Sequence, residues 1–356
     1  MKKRRSALEA RAAAQQLAFA PIAFQAAKSL RDLGILRLLQ ASGRDGMSLD
    51  NIAQQLQLSE YGVRVLLEAG LGMGVVYLKP GKAGQEEHWV LDKTGHFLIN
   101  DPMTVANMDF TQDVCYEAMQ SLSSSVQSGQ PDGLSVFGKW DTVYQALSSL
   151  EPHVQKSWFA FDHYYSDQAF PEVLPEVVKD KPKTLLDIGG NTGKWAMYCA
   201  TNTSDLHITI ADLPGQLDMA KKKVEAAGLS DRISFIAVDL LDENQQIPGK
   251  YDAVWMSQFL DCFGEAEITS IMQRVKPALT SRGQAYILEH FWDEQPYEAG
   301  AFSLQMTSLY FTAIANGNSQ MYRSTVFIPC LEKAGFVVTE KTNGNHWGHT
   351  LLKCKP

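Results

Sequence analysis

From residue 183 onward the chain alternates short apolar runs with helix-length segments. The runs are TLLDI (184–188), HITIA (207–211), ISFIAV (233–238), YDAVWM (251–256) and QAYILE (284–289). Runs this short and this rich in β-branched side chains read as strands buried on both faces. Helical segments open between them near Gly193, Gln216 and Ala266. Strands joined through helices run mostly parallel, and the helices cover both faces of the sheet. Two further strands, FVVTE (336–340) and HTLLKC (349–354), are joined by KTNGNHWG, short enough for a hairpin. The last strand is therefore expected antiparallel to its neighbour. The expected class is α/β, with seven strands in one sheet.

The residues ahead of this pattern have another texture. In 7–41, Leu17, Ile22, Phe24, Leu30, Leu33, Ile35 and Leu38 recur at helical spacing. Ser48 and Ser59 stand where each would cap a further helix, with Leu56–Leu58 as the turn between. VVYLKPGKAGQEEHWVLDKTG then reads as a hairpin with a charged tip. Helix, turn, helix and hairpin make a winged-helix arrangement, whose commonest use is DNA binding. Charge argues against that use. Between 47 and 110 the basic residues are Arg64, Lys79, Lys82 and Lys93. The acidic ones are Asp50, Glu60, Glu68, Glu86, Glu87, Asp92, Asp101 and Asp109. Phosphate contacts dominate affinity for DNA, so this surface has the wrong sign, as does the chain's net charge of −8. The module is expected to pack or dimerise, and no nucleic-acid partner is expected.

Residues 102–180 read as helical and rich in large side chains (WFAFDHYYSDQAF), broken by SGQPDG. The expected domains are a winged-helix-like dimerisation domain at 1–110, a helical linker and active-site roof at 111–180, and a ligand-binding α/β domain at 181–356. Cys115, Cys199, Cys262, Cys330 and Cys354 are scattered without a metal-binding spacing, which fits reduced thiols and a cytoplasmic location. His346 and His349 lie three apart with no third ligand beside them, so no metal site is expected. No apolar stretch is long enough to span a membrane, and the basic start MKKRR leads into an amphipathic helix.

The chemistry concentrates in LLDIGGNTGKWA, residues 185–196. Gly189, Gly190 and Gly193 fall as G-G-x-x-G, not in the G-x-G-x-x-G spacing of a dinucleotide loop. A carboxylate at the mouth, Asp187, would repel a pyrophosphate, but it suits a ligand with a cationic amino-acid end. Asp212 ends the second strand at a distance where a carboxylate meets a ribose hydroxyl pair. Asp239 ends the third, where it can accept from an adenine amino group. Each alone is better explained by capping, but at three successive strand ends they fit S-adenosylmethionine.

LLDIGGNTG, ADLPG and VDLLD resemble the class I S-adenosylmethionine-dependent methyltransferases, and RSTVFIPCLEKAGF with the winged-helix front is similar to their small-molecule O-methyltransferase family. The caffeic acid and hydroxyindole O-methyltransferases belong to it. The resemblance covers nearly the whole chain. It implies a Rossmann-like sheet behind a mainly helical dimerisation domain, and a homodimer whose N-terminal helices swap to roof the partner's site. It also implies cofactor contacts at Gly189, Gly190, Asp212, Leu213, Asp239, Leu240, Ser257 and Gln258. Ser166, in FDHYYSDQ, matches a serine near the methionine end.

The chain departs from that family after the fourth strand, where the pattern K-x-x-x-H-D-W normally supplies a catalytic histidine. Here the stretch is SQFLDCFGEAE. Ser257 takes the lysine's place, Asp261 the base's and Phe263 the tryptophan's. Glu289, in ILEHFW, matches one flanking acid, while Tyr322 replaces the other. Asp261 is either a base desolvated by Phe259, Leu260 and Phe263, or the N-cap of the next helix. The family reading gives transfer of methyl to a hydroxyl of an aromatic or polyketide-like acceptor. The alternative is a binding protein, or one with diverted chemistry, that has lost methyl transfer with the histidine. Phe161, His163 and Tyr165 are expected to line the acceptor pocket from one side, with Phe259, His290, Met306 and Tyr310 from the other. So many aromatic groups favour a flat acceptor.

Overall fold

Two compact units divide the chain, Met1–Asp109 and Phe110–Pro356. The computed structural model describes residues 5–81, 86–344 and 348–356, apart from the side chains at 165 and 166.

In the first unit, the stretch expected as one helix over 7–41 is three: Ala7–Ala18, Ala20–Asp32 and Ile35–Ser42. The first break is at Phe19, with Pro21 in the opening turn of the next helix, where its missing N–H costs nothing. The second is at Gly34, whose φ of +83° is left-handed backbone open to glycine. Ser6 and Glu9 form a reciprocal cap ahead of the first helix, which buries none of its residues within the unit. The core comes from later elements, with Leu30, Ile35, Leu36 and Leu39 packed among Ile52, Val63, Leu67 and Val76. Ser59 caps the helix Glu60–Gly72, accepting from Gly62 N–H at 3.1 Å. Ser48 caps the helix Leu49–Leu56 by position only; its hydroxyl has no partner among the described residues. Strands β1 (Val76–Lys79) and β2 (His88–Leu91) pair antiparallel as the hairpin. Residues 82–85 of its tip fall outside the described residues.

The second unit holds the seven-stranded sheet. Its strands are β3 (Thr184–Ile188), β4 (His207–Asp212), β5 (Ile233–Ala237), β6 (Tyr251–Ser257), β7 (Leu279–Glu289), β8 (Val337–Asn343) and β9 (Thr350–Lys355). They lie in the order β5-β4-β3-β6-β7-β9-β8. The first five are parallel, and β9 runs antiparallel to both its neighbours, as expected for the last strand. Alternate side chains face two cores. On one face, Ile188, Val254 and Met256 pack with Ile268, Ile271, Phe327 and Leu331. On the other, Leu185, Ala253 and Trp255 pack with Val177, Trp195, Ala220 and Val224. Strand order reverses between β3 and β6, so a crevice opens beyond their carboxyl ends, the usual ligand position in such sheets.

The segment after Phe110 has no core of its own. Phe110, Val114, Leu134, Val143, Leu147 and Trp158 share a cluster with Leu304, Tyr310, Phe311 and Ile314, from the helix Glu298–Tyr310 and the π-helical turn that follows. No helix among the described residues is long and apolar enough to cross a membrane.

Candidate active site

One cavity fills the crevice, and its inner half is built from strand ends. Beyond β3 the chain turns through Gly189 and Gly193, at φ +70° and +79°. Gly190 is required for space: a Cβ there would lie 2.8 Å from both Asp187 Oδ2 and Ile210 Cγ2. Asp187 sits beneath the loop, 2 % exposed, and its carboxyl is pushed up to about 8 by burial and then by nearby Asp212. Asp212, at the end of β4, receives the backbone N–H of Asn191 at 2.8 Å on Oδ2 and that of Leu213 at 2.7 Å on Oδ1. Asp239, just past β5, is exposed and accepts from Leu241 N–H at 2.9 Å. Its loop is pinned by Arg274, whose guanidinium donates to the carbonyls of Leu240, Asp242 and Gln245. Beyond β6, Gln258 holds a left-handed backbone at φ +46°. All of these expected cofactor residues line the cavity, together with Gly189, Gly190, Leu213, Leu240 and Ser257.

Several polar atoms of this wall are buried without a partner among the described residues: Asn191 Oδ1, Thr192 Oγ1, Ser257 Oγ and Gln258 Nε2. Buried polar groups are normally hydrogen-bonded, so a wall of unmet donors and acceptors fits a polar ligand with amino, carboxylate and hydroxyl groups. S-adenosylmethionine is such a ligand.

The outer half is aromatic. Phe110 stacks on Phe161 with ring centroids 4.0 Å apart and meets Tyr310 edge-on at 5.0 Å. Trp158 Nε1 donates to Tyr310 Oη at 2.8 Å. Phe259 and Phe263 close the side beyond β6. Between them stands Asp261, in a short 3₁₀ turn, Leu260–Cys262, and only 4 % exposed. It is not the cap of the next helix: Glu265–Val275 starts from Gly264, whose N–H donates to Glu267 at 2.7 Å. Its Oδ1 accepts a weak bond from Cys262 Sγ at 3.5 Å, and burial pushes its carboxyl up to about 7.

Glu289 lies behind the cavity wall. It is fully buried, and its Oε1 accepts from the N–H groups of Phe259 (3.2 Å) and Leu260 (3.0 Å). It thus holds the turn that presents Asp261. Burial, followed by the charge of Asp261, keeps Glu289 well above the usual carboxylate range. His163 lines the cavity, lowered to about 4 by burial and then by Lys194, so its ring is neutral and a poor candidate for the proton acceptor.

Two expected acceptor contacts are not in the wall. Met306 is 45 % exposed and outside the wall, to which Thr307, Tyr310 and Phe311 contribute instead. His290 is buried, its ring tilted 36° against that of His349 with centroids 4.0 Å apart. Tyr322 is also buried and donates to Phe263 O at 2.7 Å. The side chains of Tyr165 and Ser166, and all of His346, lie outside the described residues. Sequence reading passed over Tyr144, Asp162, Asn191 and Cys262, all in the wall. Asp162 had one available signal: it precedes Ser166 by one helical turn.

Residues 121–337 match the model of the O-methyltransferase domain. The chain belongs to that O-methyltransferase family. Residues 11–83 match a Dimerisation2-like domain, so the front unit is of dimerisation type. An L-tyrosine C(3)-methyltransferase of Streptomyces lavendulae is 23 % identical over 321 residues, covering 89 % of this chain and 84 % of that protein. Among solved structures, the S-adenosylmethionine-dependent methyltransferase SibL superposes with a TM-score of 0.74 at 21 % identity, covering 96 % of this chain and 98 % of its own. An O-methyltransferase from neocarzinostatin biosynthesis, solved with S-adenosylmethionine and 2-hydroxy-5-methyl naphthoic acid, gives 0.68 at 18 % identity, covering 94 % and 95 %. This O-methyltransferase is accordingly an enzyme of the S-adenosylmethionine-dependent class, and S-adenosylmethionine is its cofactor. Nothing among these relatives favours a protein that only binds.

Proposed function

We propose that the enzyme methylates a phenolic hydroxyl of a flat aromatic acceptor, with Asp261 as the general base. The observation that carries this reading is a buried carboxyl inside an aromatic wall, next to the strand-end loops. The bound cofactor supplies an already activated methyl group. The protein's share is alignment, exclusion of water and removal of the acceptor proton. A phenol has a pKa near ~10 and a free aspartate near ~3.9, too far apart for efficient transfer. Burial lifts Asp261 to about 7, where a carboxylate is a workable base at neutral pH. Glu289 fixes the turn, and Phe161, Phe259 and Tyr310 sandwich the ring. In the inner half, Asp212 and Leu213 serve the ribose, Asp239 and Leu240 the adenine, and Gly189, Gly190, Asp187, Ser257 and Gln258 the amino-acid end, with Ser166 near it.

The relatives support an aromatic acceptor: one acts on L-tyrosine, and another was solved with a hydroxynaphthoic acid. The first also supports a second reading, transfer to the ring carbon beside the hydroxyl. The same base serves both, because a phenolate is nucleophilic at oxygen and at the adjacent carbon. Incubation with S-adenosylmethionine and a panel of phenols, followed by mass spectrometry and NMR, tests the proposal. A methoxy product supports the first reading and a ring methyl the second. Release of S-adenosylhomocysteine from none of the phenols, but from aliphatic alcohols, would sink both.

The working form is proposed to be a cytoplasmic homodimer with exchanged N-terminal helices. Leu8, Leu17 and Ile22 on the first two helices, with Phe19 at the break between them, are exposed apolar side chains, as an uncovered interface requires. Replacing all four by serine should give a monomer in light scattering. An unchanged dimer would place the interface elsewhere.

A further inference from the structure

Asp162 stands on the helix Pro152–Asp167 and lines the cavity, partly buried, in a stretch that is otherwise mainly aromatic. Its Oδ2 accepts from Asn191 Nδ2 at 3.4 Å. The backbone N–H of that asparagine donates to Asp212 Oδ2 at 2.8 Å. One residue of the glycine-rich loop therefore ties together two carboxylates on different elements. It does so in left-handed backbone, at φ +49°, a conformation that asparagine tolerates better than most residues. Its own Oδ1 is buried without a partner among the described residues.

Among the described residues no cation is paired with Asp162: burial, then the charges of Asp261 and Asp167, push its carboxyl up to about 7, and the charge of Lys194 offsets this only in part. Among the described residues of the cavity wall, the basic side chains are Lys194 and His163. Lys194 is held by Asp167, with Nζ to Oδ2 at 2.5 Å. His163 Nδ1 lies 3.9 Å from Asp162 Oδ2, but its ring is neutral, so the contact is not an ion pair. A partly buried carboxylate beside other carboxylates is stabilised by an opposite charge. With no cation free in the wall, the ligand has to bring it.

The donor's own chemistry identifies that cation. Along S-adenosylmethionine the ribose is followed by the sulfonium and then the amino-acid end. With the ribose at Asp212, a placement taken from the proposed function, the next group along is the sulfonium. Asn191 sets Asp162 one residue's reach from Asp212. We propose that Asp162 is the counter-charge of the sulfonium, a positioning residue that makes the site hold the charged donor more tightly than the neutral thioether product. Methyl transfer abolishes the sulfonium charge, so the contact weakens when the reaction is over and product exchange is favoured. Asp261 remains free to take the acceptor proton.

Calorimetry on the full-length protein tests this with S-adenosylmethionine and S-adenosylhomocysteine as separate ligands. Asp162→Asn keeps the shape and the ability to accept from Asn191 while removing the charge. Affinity for S-adenosylmethionine should fall by about 10- to 100-fold, the range for a charge-assisted contact, and that for S-adenosylhomocysteine by less than about twofold. Equal losses, or none, overturn the proposal. Asp212→Ala separates this from the placement beneath it, since it should weaken both ligands alike. If Asp212→Ala weakens neither, the ribose placement fails; if it weakens both while Asp162→Asn does not discriminate, only the sulfonium contact fails. A measurement on the unaltered protein guards against a variant that does not fold. A donor analogue with a protonated amine in place of the sulfonium should bind at least about tenfold more tightly than S-adenosylhomocysteine, and equal affinities would overturn the assignment.

Discussion

The two halves of the cavity are made in different ways. The inner half comes from successive strand ends, each contributing a few residues: Gly189 and Gly190 after β3, Asp212 at the end of β4 and Asp239 after β5. Two of its carboxylates accept from the residues just after them, Asp212 from Leu213 N–H and Asp239 from Leu241 N–H. The outer half is assembled from remote helices, and the bond from Trp158 to Tyr310 spans 152 positions of sequence. A strand end fixes where its next residues go. A helix fixes a side chain only once it is known which face turns inward. Cofactor binding is therefore expected to depend on the inner half, and acceptor choice on packing that is free to vary.

The sharpest way to break this division is at Asp261, where chemistry alone should suffer. Asp261→Asn should lower turnover by about 10²–10⁴, the usual contribution of a general base, with cofactor affinity unchanged. The unaltered enzyme should gain activity as pH rises through about 7, where the carboxyl ionises, and lose it below. That limb should vanish in the variant. Near-full turnover in Asp261→Asn would leave alignment as the whole mechanism. A smaller effect is expected at the inner half: Asp212→Ala should weaken S-adenosylmethionine by roughly 1.5–3 kcal/mol in calorimetry, the worth of a hydrogen bond to a charged acceptor. Unchanged binding removes Asp212 from the ribose. Gly190→Ala probes the same half through sterics. Its new methyl meets Asp187 and Ile210, so thermal unfolding should report a loss of about 1–3 kcal/mol, with weaker cofactor binding. The smallest effect sharpens the outer half. Met306→Ala should leave the acceptor KM within about twofold, because an outward-facing side chain adds little, whereas Phe161→Ala should raise it. A large rise for Met306→Ala would mean that the acceptor reaches the far face of that helix.

The same contrast explains what was legible beforehand. The sheet, its antiparallel last strand and the strand-end residues that line the cavity followed from apolar runs and the carboxylates that close them. Helix faces did not. Met306 is exposed while Tyr310, one turn on, is buried, because the inward part of Glu298–Tyr310 is set by contacts with Phe110 and Trp158, far away in sequence. Glu289 matches an acid flanking the family's catalytic histidine, but its place behind the wall depends on the backbone turn after β6, which composition does not reveal. Asp162 was hidden among aromatic residues that drew attention to packing.

The order of strands at one edge of the sheet also bears on how the chain is made. β9 lies between β7 and β8, although it follows both in sequence. During synthesis, β8 emerges with no strand to pair with, and β7 keeps one open edge, until the residues of β9 leave the ribosome. Unpaired strand edges are the surfaces on which nascent chains associate wrongly. The cofactor loops beyond β3 to β6 can form before then, so ligand capture and closure of the sheet become separate events.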